Sequence, residues 1–332
     1  MTDLRWALSR RWALASGLAW PLLAPRSAAS AVAATTAPDA PAATSACTAA
    51  SCPTVAMAAG IVAPELPAAA TPEAATAAPA RAPELRQPVW RSQFRQGLAD
   101  WGRLHEDWGL DNHQLLAEPG VAGQLLRVRL RQGSIDPGSM SRRGLPRSGT
   151  GFKAAVIPGG SDSATLRYRL RFAPGFDFVR GGKLPGLYGG RGPSGGVAPQ
   201  GDDGFSLRLM WREAGAGEVY AYLPGRVRRH GLSLLRGQLR FVPGRWHQVT
   251  QQLLLNTPGL DDGVLRLWLD GQAVGEVGGL RLRDSAKRRV DGVFVDLFFG
   301  GSDDSWAARA DTHVDLAEFT IVAPVPLQEG GR

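Results

Sequence analysis

The sequence predicts an all-β protein whose two antiparallel sheets pack as a sandwich or jelly roll, and three observations carry that prediction. Runs alternating apolar and polar residues recur through the second half of the chain. The 42 Gly and 24 Pro among 332 residues punctuate those runs with turns. No stretch carries a capped helical pattern, which excludes long-helix and coiled-coil architectures.

Residues 1–32 read as an export signal peptide: a basic start at Arg5, Arg10 and Arg11, an apolar run from Trp12 to Ala24, and small residues from Ala28 for cleavage. The segment Ser9 to Leu14 is similar to a twin-arginine signal, so Tat and Sec routes both stay open, with a periplasmic or extracellular destination. The apolar run is shorter than the roughly 20 residues that span a bilayer, so no stable membrane insertion is expected. Residues 33–86 are rich in Ala, Pro and Thr, bury too little apolar area to offset ordering, and read as a disordered linker. The only cysteines, Cys47 and Cys52, fall in it, which leaves no disulfide framework or cysteine zinc site for the rest.

Residues 87–324 form the expected domain, followed by a tail at 325–332. Strands are predicted at 125–131, 164–172, 205–212, 218–223, 246–255, 263–269, 290–299 and 314–322. Asp270-Gly271, between Leu265–Leu269 and Gln272–Val274, signals a two-residue hairpin turn. Lys and Arg total 38 against 30 Asp and Glu, a formal net charge of +8. An exported basic domain points to a polyanionic ligand. Nucleic acid is set aside, because no recognition motif is present and export argues against it.

In Gly204 to Arg212, strand periodicity puts Phe205, Leu207, Leu209 and Trp211 on a core face and Ser206, Arg208 and Met210 on the other. In Glu218 to Leu223, Tyr220 and Tyr222 share a face. If the two runs pair as a hairpin across 213–217, the Ser/Arg and Tyr/Tyr faces meet on one surface. Lys183, one of three lysines, stands upstream in the Gly-rich, turn-forming segment Gly181 to Leu187. A plainer account exists for each: tyrosine pairs pack across strands, and exposed arginines are commonly solvated.

The block Gly181-Gly182-Lys183-Leu184-Pro185-Gly186-Leu187, then Phe205-Ser206-Leu207-Arg208, then Tyr220-Ala221-Tyr222, resembles polysaccharide lyase family 14, the alginate and glucuronan lyases. Leu255 to Gly259, Leu267 to Gly271, and Phe298 to Asp303 followed by Trp306 extend the resemblance, which runs from Trp90 to Ile321. It implies a concanavalin A-like β-jelly roll and functional positions at Lys183, Ser206, Arg208, Tyr220 and Tyr222.

Such a lyase cleaves a 4-linked uronate by β-elimination. It neutralises the carboxylate, removes the proton at C5 and protonates the departing oxygen. Arg208 and Lys183 are the cationic candidates for the first task. For proton transfer, a tyrosine beside an arginine has its phenolate favoured, which would lower its pKa from about 10. Tyr220, Tyr222 and Lys183 all remain candidates for the base. Ser206 is expected to orient the sugar or the arginine, since no His and Asp accompany it as a triad.

The five histidines lack ligand spacing, so no metal and no cofactor are expected. His247 and Trp306 are candidate substrate-binding residues at the border of the groove, and Arg228 and Arg229 could extend its cationic lining. The Gly300–Trp306 loop could hold a calcium ion or contact sugar through Trp306. Glycoside hydrolysis needs two facing carboxylates about 5 to 9.5 Å apart, and no strand between Ser206 and Tyr222 offers them. The expectation is therefore an exported, monomeric lyase acting on an acidic polysaccharide. The rival reading is a non-catalytic carbohydrate-binding or cell-wall-associated jelly-roll module.

Overall fold

The computed structural model describes residues 80–200, 202–225 and 231–324. The expected signal peptide, most of the expected linker with Cys47 and Cys52, the tail, and Arg228 and Arg229 lie outside the described residues.

In chain order come β1 (Trp90–Ser92), β2 (Leu104–Trp108), β3 (His113–Leu116), β4 (Leu125–Leu130), α1 (Pro137–Arg142), β5 (Thr150–Ala154), β6 (Ser163–Phe172) and β7 (Gly181–Gly190). They are followed by β8 (Gly204–Arg212), β9 (Ala216–Tyr222), β10 (Leu232–Arg240), β11 (His247–Leu254), β12 (Gly263–Leu269), β13 (Gln272–Leu280), β14 (Gly292–Phe299) and β15 (Thr312–Val322). The first sheet runs β13, β12, β11, β6, β15, β4, β3, with β1 paired to the far end of β15. The second runs β10, β9, β8, β7, β14, β5, β2. Every named pairing is antiparallel.

Period two sorts the side chains. In β8, Phe205, Leu207, Leu209 and Trp211 enter the core between the sheets, where they meet Leu166, Leu170 and Phe172 of β6 and Val249 and Leu253 of β11. Trp211 packs against Phe172, Phe176 and Phe299 at ring separations of 5.4–5.7 Å. Truncating so buried an indole costs about 3–5 kcal/mol. The β12–β13 turn is the predicted one: Asp270 and Gly271 both have positive φ, at 54° and 81°, the geometry of a type I′ hairpin.

Several expectations are corrected. Gly181–Leu187, read as turn-forming, lies in a ten-residue strand, Gly181–Gly190, in the middle of the second sheet. Strands β1, β2, β3, β5 and β10 are not among the predicted ones. Strand β5 is buried at all five positions and so shows no alternation. One short α-helix occurs among the described residues: α1, with Pro137 in its first turn and the Asp136 carboxylate accepting from the Ser139 N–H at 3.0 Å. Residues 81–83, assigned to the linker, are bonded to the first sheet: Arg81 bridges Gln272, the Ala82 N–H donates to the Gly271 carbonyl, and Arg167 donates to the Pro83 carbonyl. No helix among the described residues is long and apolar enough to cross a membrane.

Candidate active site

The outer face of the second sheet carries a groove of about 1050 Å³. Strand register assembles its floor in rows. Lys183, Met210 and Glu218 align across β7, β8 and β9; Gly186, Arg208 and Tyr220 form the next row; Tyr188, Ser206 and Tyr222 form the third. The hairpin expected across 213–217 is therefore present, and Lys183, Arg208, Tyr220 and Tyr222 all line the groove. A shift in register between Lys183 and Gly186 makes two residues of β7, Leu184 and Pro185, oppose one of β8, Leu209. This bulge aims Lys183 outward while Leu184 and Leu187 both stay in the core. Gly186 is required where it stands, because a Cβ there would lie 2.0 Å from the Leu207 carbonyl oxygen.

Arg208 is 1% exposed and pairs through Nη1 with Asp296 of β14. Its Nε and Nη2 are buried and find no hydrogen-bond partner among the described residues. Leaving such donors unmet is costly, about 1–3 kcal/mol each, and marks a site that a carboxylate would complete. Burial pushes the Asp296 carboxyl up from its ordinary value, against the pull of Arg208 and Lys183. On the far side of Lys183, Arg212 pairs with buried Glu218.

Lys183 thus sits between two arginine–carboxylate pairs, with Nζ 3.5 Å from the Tyr220 ring centroid and 2.7 Å from Met210 Sδ. Burial first, then Arg208 and Arg212, hold its amine well below the usual lysine value. A lysine so placed is a neutral amine with a lone pair at far lower pH than an exposed one.

The tyrosines depart from expectation. Burial, reinforced by Tyr222, pushes the Tyr220 phenol up to about 12; the nearby Arg212 pulls the other way with less effect. Tyr220 accepts from the Gly231 N–H at 3.0 Å and hydrogen-bonds Tyr222, which accepts from the Gly196 N–H at 3.0 Å. The rings meet edge to face at 5.6 Å.

Ser206, expected to orient sugar or arginine, is fully buried, is not among the groove-lining residues, and donates to the Pro193 carbonyl at 2.6 Å. Together with Tyr222 it fastens the loop at residues 193–196. His247, expected at the groove border, is 2% exposed in β11 of the opposite sheet, where Nε2 accepts from the Val242 N–H and Nδ1 faces Asp270. Trp306 does line the groove, and Arg180 lies 4.9 Å over its ring.

Sequence reading missed Asp296, Glu218, Arg212, Glu106, Trp108, Asp136 and Arg142, of which all but Glu218 line the groove. Asp296 had a signal: it is the one charge in the wholly buried run Gly292–Phe299. Among the described residues no group of three or more His, Cys, Asp and Glu side chains is arranged to hold a metal ion.

The family model described as Polysaccharide lyase 14 matches residues 119–319. Among solved structures, the chain is similar to the marine PL-14 alginate lyase from Aplysia kurodai, with 30% identity, a TM-score of 0.64, and coverage of 72% of this chain and all of that one. It also shares its fold with the alginate lyase vAL-1 from Chlorella virus, with 18% identity, a TM-score of 0.58, and coverage of 68% of this chain and 96% of that one. The alginate lyase Aly36B is 20% identical with a TM-score of 0.56, covering 70% of this chain and 91% of that one. No curated protein matches the chain.

Proposed function

The chain belongs to polysaccharide lyase family 14, and on that premise we propose that it cleaves a 4-linked uronate polymer, alginate or glucuronan, by β-elimination in the groove of the second sheet. One observation carries the reading: a lysine whose amine is held well below the usual lysine value stands beside an arginine with two donors unmet among the described residues and a pair of tyrosines, all in one groove.

In this mechanism the uronate carboxylate takes up the free edge of Arg208, which stabilises the charge that builds as C5 is deprotonated. Lys183 Nζ removes the C5 proton. The electron pair of that C–H bond forms the C4–C5 double bond, and the C4–O bond breaks toward the leaving sugar. Tyr222 supplies a proton to the departing oxygen, and the lysine ammonium restores the phenol directly or through water. Tyr220 retains its proton throughout and serves as a floor for the amine. Trp306 and the arginines around the groove hold the neighbouring uronates.

Mixing the protein with alginate, polymannuronate, polyguluronate and glucuronan should release the ultraviolet absorbance of an unsaturated uronate from at least one. Retention of these polymers without any unsaturated product would favour a binding module and remove the enzyme reading. We infer further that the protein is exported and acts as a monomer, which cell fractionation and the solution mass would check.

A further inference from the structure

On the inner face of β11, Val249, Gln251 and Leu253 point into the core, and Gln251 is 0% exposed. Its amide crosses to the other sheet. Nε2 donates to the Leu207 carbonyl at 2.9 Å, and Oε1 accepts from the Leu187 N–H at 3.1 Å. A second inward side chain does the same: Tyr168 of β6 donates its hydroxyl to the Pro185 carbonyl at 3.0 Å.

All three backbone groups belong to the β7–β8 pair: Pro185 lies within the register shift, and Leu187 and Leu207 are the second registered pair after it. A bulge strips ladder partners from the backbone, and buried polar groups need replacements. Pro185, having no N–H, suits the position. The replacements come from the opposite sheet through the core, so the offset between Lys183 and Gly186 is held from behind.

We infer that Gln251, assisted by Tyr168, is a positioning residue for the active site, holding the β7 bulge so that Lys183 Nζ stays in the groove beside Arg208 and over Tyr220. This role rests on the chemistry proposed for Lys183. No part of Gln251 touches the groove, and its neighbour Gln252 supplies an internal control. Gln252 faces the opposite way, bonding Thr165 and Arg266 on the outer surface of the first sheet.

Gln251→Met keeps the volume and removes both bridging bonds. On whichever polyuronate yields product, kcat should fall on the order of 10- to 100-fold while KM holds within about threefold, because a displaced base loses the transition state more than the ground state. The acidic limb of the kcat profile should move to higher pH. Loosening the bulge admits water to the Lys183 amine, while Arg208, Arg212, Asp296, Glu218 and Tyr220 still face it. Gln252→Met should leave both unchanged. Wild-type kcat and pH limb in Gln251→Met, or an equal loss in Gln252→Met, would overturn the positioning role.

If Gln251→Met does not fold, Tyr168→Phe carries the test, since it deletes one hydroxyl and keeps the ring stacked on Phe319 at 4.9 Å. A kcat loss of about fivefold or more with the same limb shift supports the role, and unaltered kinetics overturns it. Lys183→Ala separates the two levels. Full turnover in that variant removes the proposed chemistry itself; an inactive Lys183→Ala beside a wild-type Gln251→Met removes only the positioning role.

Discussion

The outer face of the first sheet and the groove face of the second are built from the same residue types, yet their arginines end in opposite states. On the first sheet, Arg171 spends all three guanidinium nitrogens: Nη1 and Nη2 on Glu118, Nε and Nη2 on Asp315. Arg127 closes on the same Asp315, and Trp246 lies 4.5 Å under Arg171 while donating to Glu118. In the groove, Arg208 has one nitrogen on Asp296 and two with no partner among the described residues. Charge and aromatics are common to both faces. What differs is whether the donors are used up, and only leftover donors can be spent on a substrate carboxylate.

Mutagenesis would break or sharpen this contrast, beginning with the largest effect. Lys183→Ala should lower kcat by about 10³-fold, within the range for losing a general base, with polymer retention preserved in a pull-down. Arg208→Ala should lower kcat/KM by about 10²- to 10³-fold and also leave Asp296 buried and unpaired, lowering unfolding free energy in denaturant titration by about 3–5 kcal/mol. Arg171→Ala should leave kcat/KM unchanged, because Asp315 keeps Arg127 and no substrate group is lost. If it matched Arg208→Ala in kinetics, the distinction between closed and open arginines would fail.

Tyr222→Phe should reduce kcat about 10²-fold with KM nearly unchanged, whereas Tyr220→Phe should cost less, since its phenol is pushed up to about 12 and keeps its proton. On its acidic side the pH profile of kcat should rise as the Lys183 ammonium loses its proton. Because burial and the two arginines lower that pKa, the limb should fall well below the range of an ordinary lysine, and activity should be lost as pH falls through it. Trp306→Ala should give the smallest effect among the groove substitutions, a KM increase of about threefold to tenfold with kcat retained, measured on a long polymer.

How legible the molecule is from sequence varies by strand. Strands β8 and β9 alternate cleanly, and Arg208, Tyr220 and Tyr222 could be placed on one face without coordinates. Strand β7 was misread because its glycines and Pro185 carry turn composition and its bulge destroys the period that would have marked a strand. Asp296 escaped because both faces of β14 are covered, so alternation is erased. Ser206 fits the outward pattern of β8, yet the loop at residues 193–196 comes back over it and takes its hydroxyl. His247 begins a strand, which suggested a rim, but that strand belongs to the other sheet. The Leu255–Gly259 motif, part of the family resemblance, is structural here: the Asn256 amide binds three carbonyls and two N–H groups of the neighbouring loops.

Residue identity and local periodicity determined the all-β class, the hairpin at Asp270-Gly271 and the shared face of Arg208, Tyr220 and Tyr222, because these depend on neighbours within a strand or across one turn. The tertiary structure alone decided that Lys183 sits among packed side chains and two arginines, that Arg208 keeps two donors in reserve, and that a glutamine from the opposite sheet reaches the strands beside the bulge. Those properties come from burial and from partners more than forty positions apart, and desolvation is a sum over everything packed around a group, which no local pattern records.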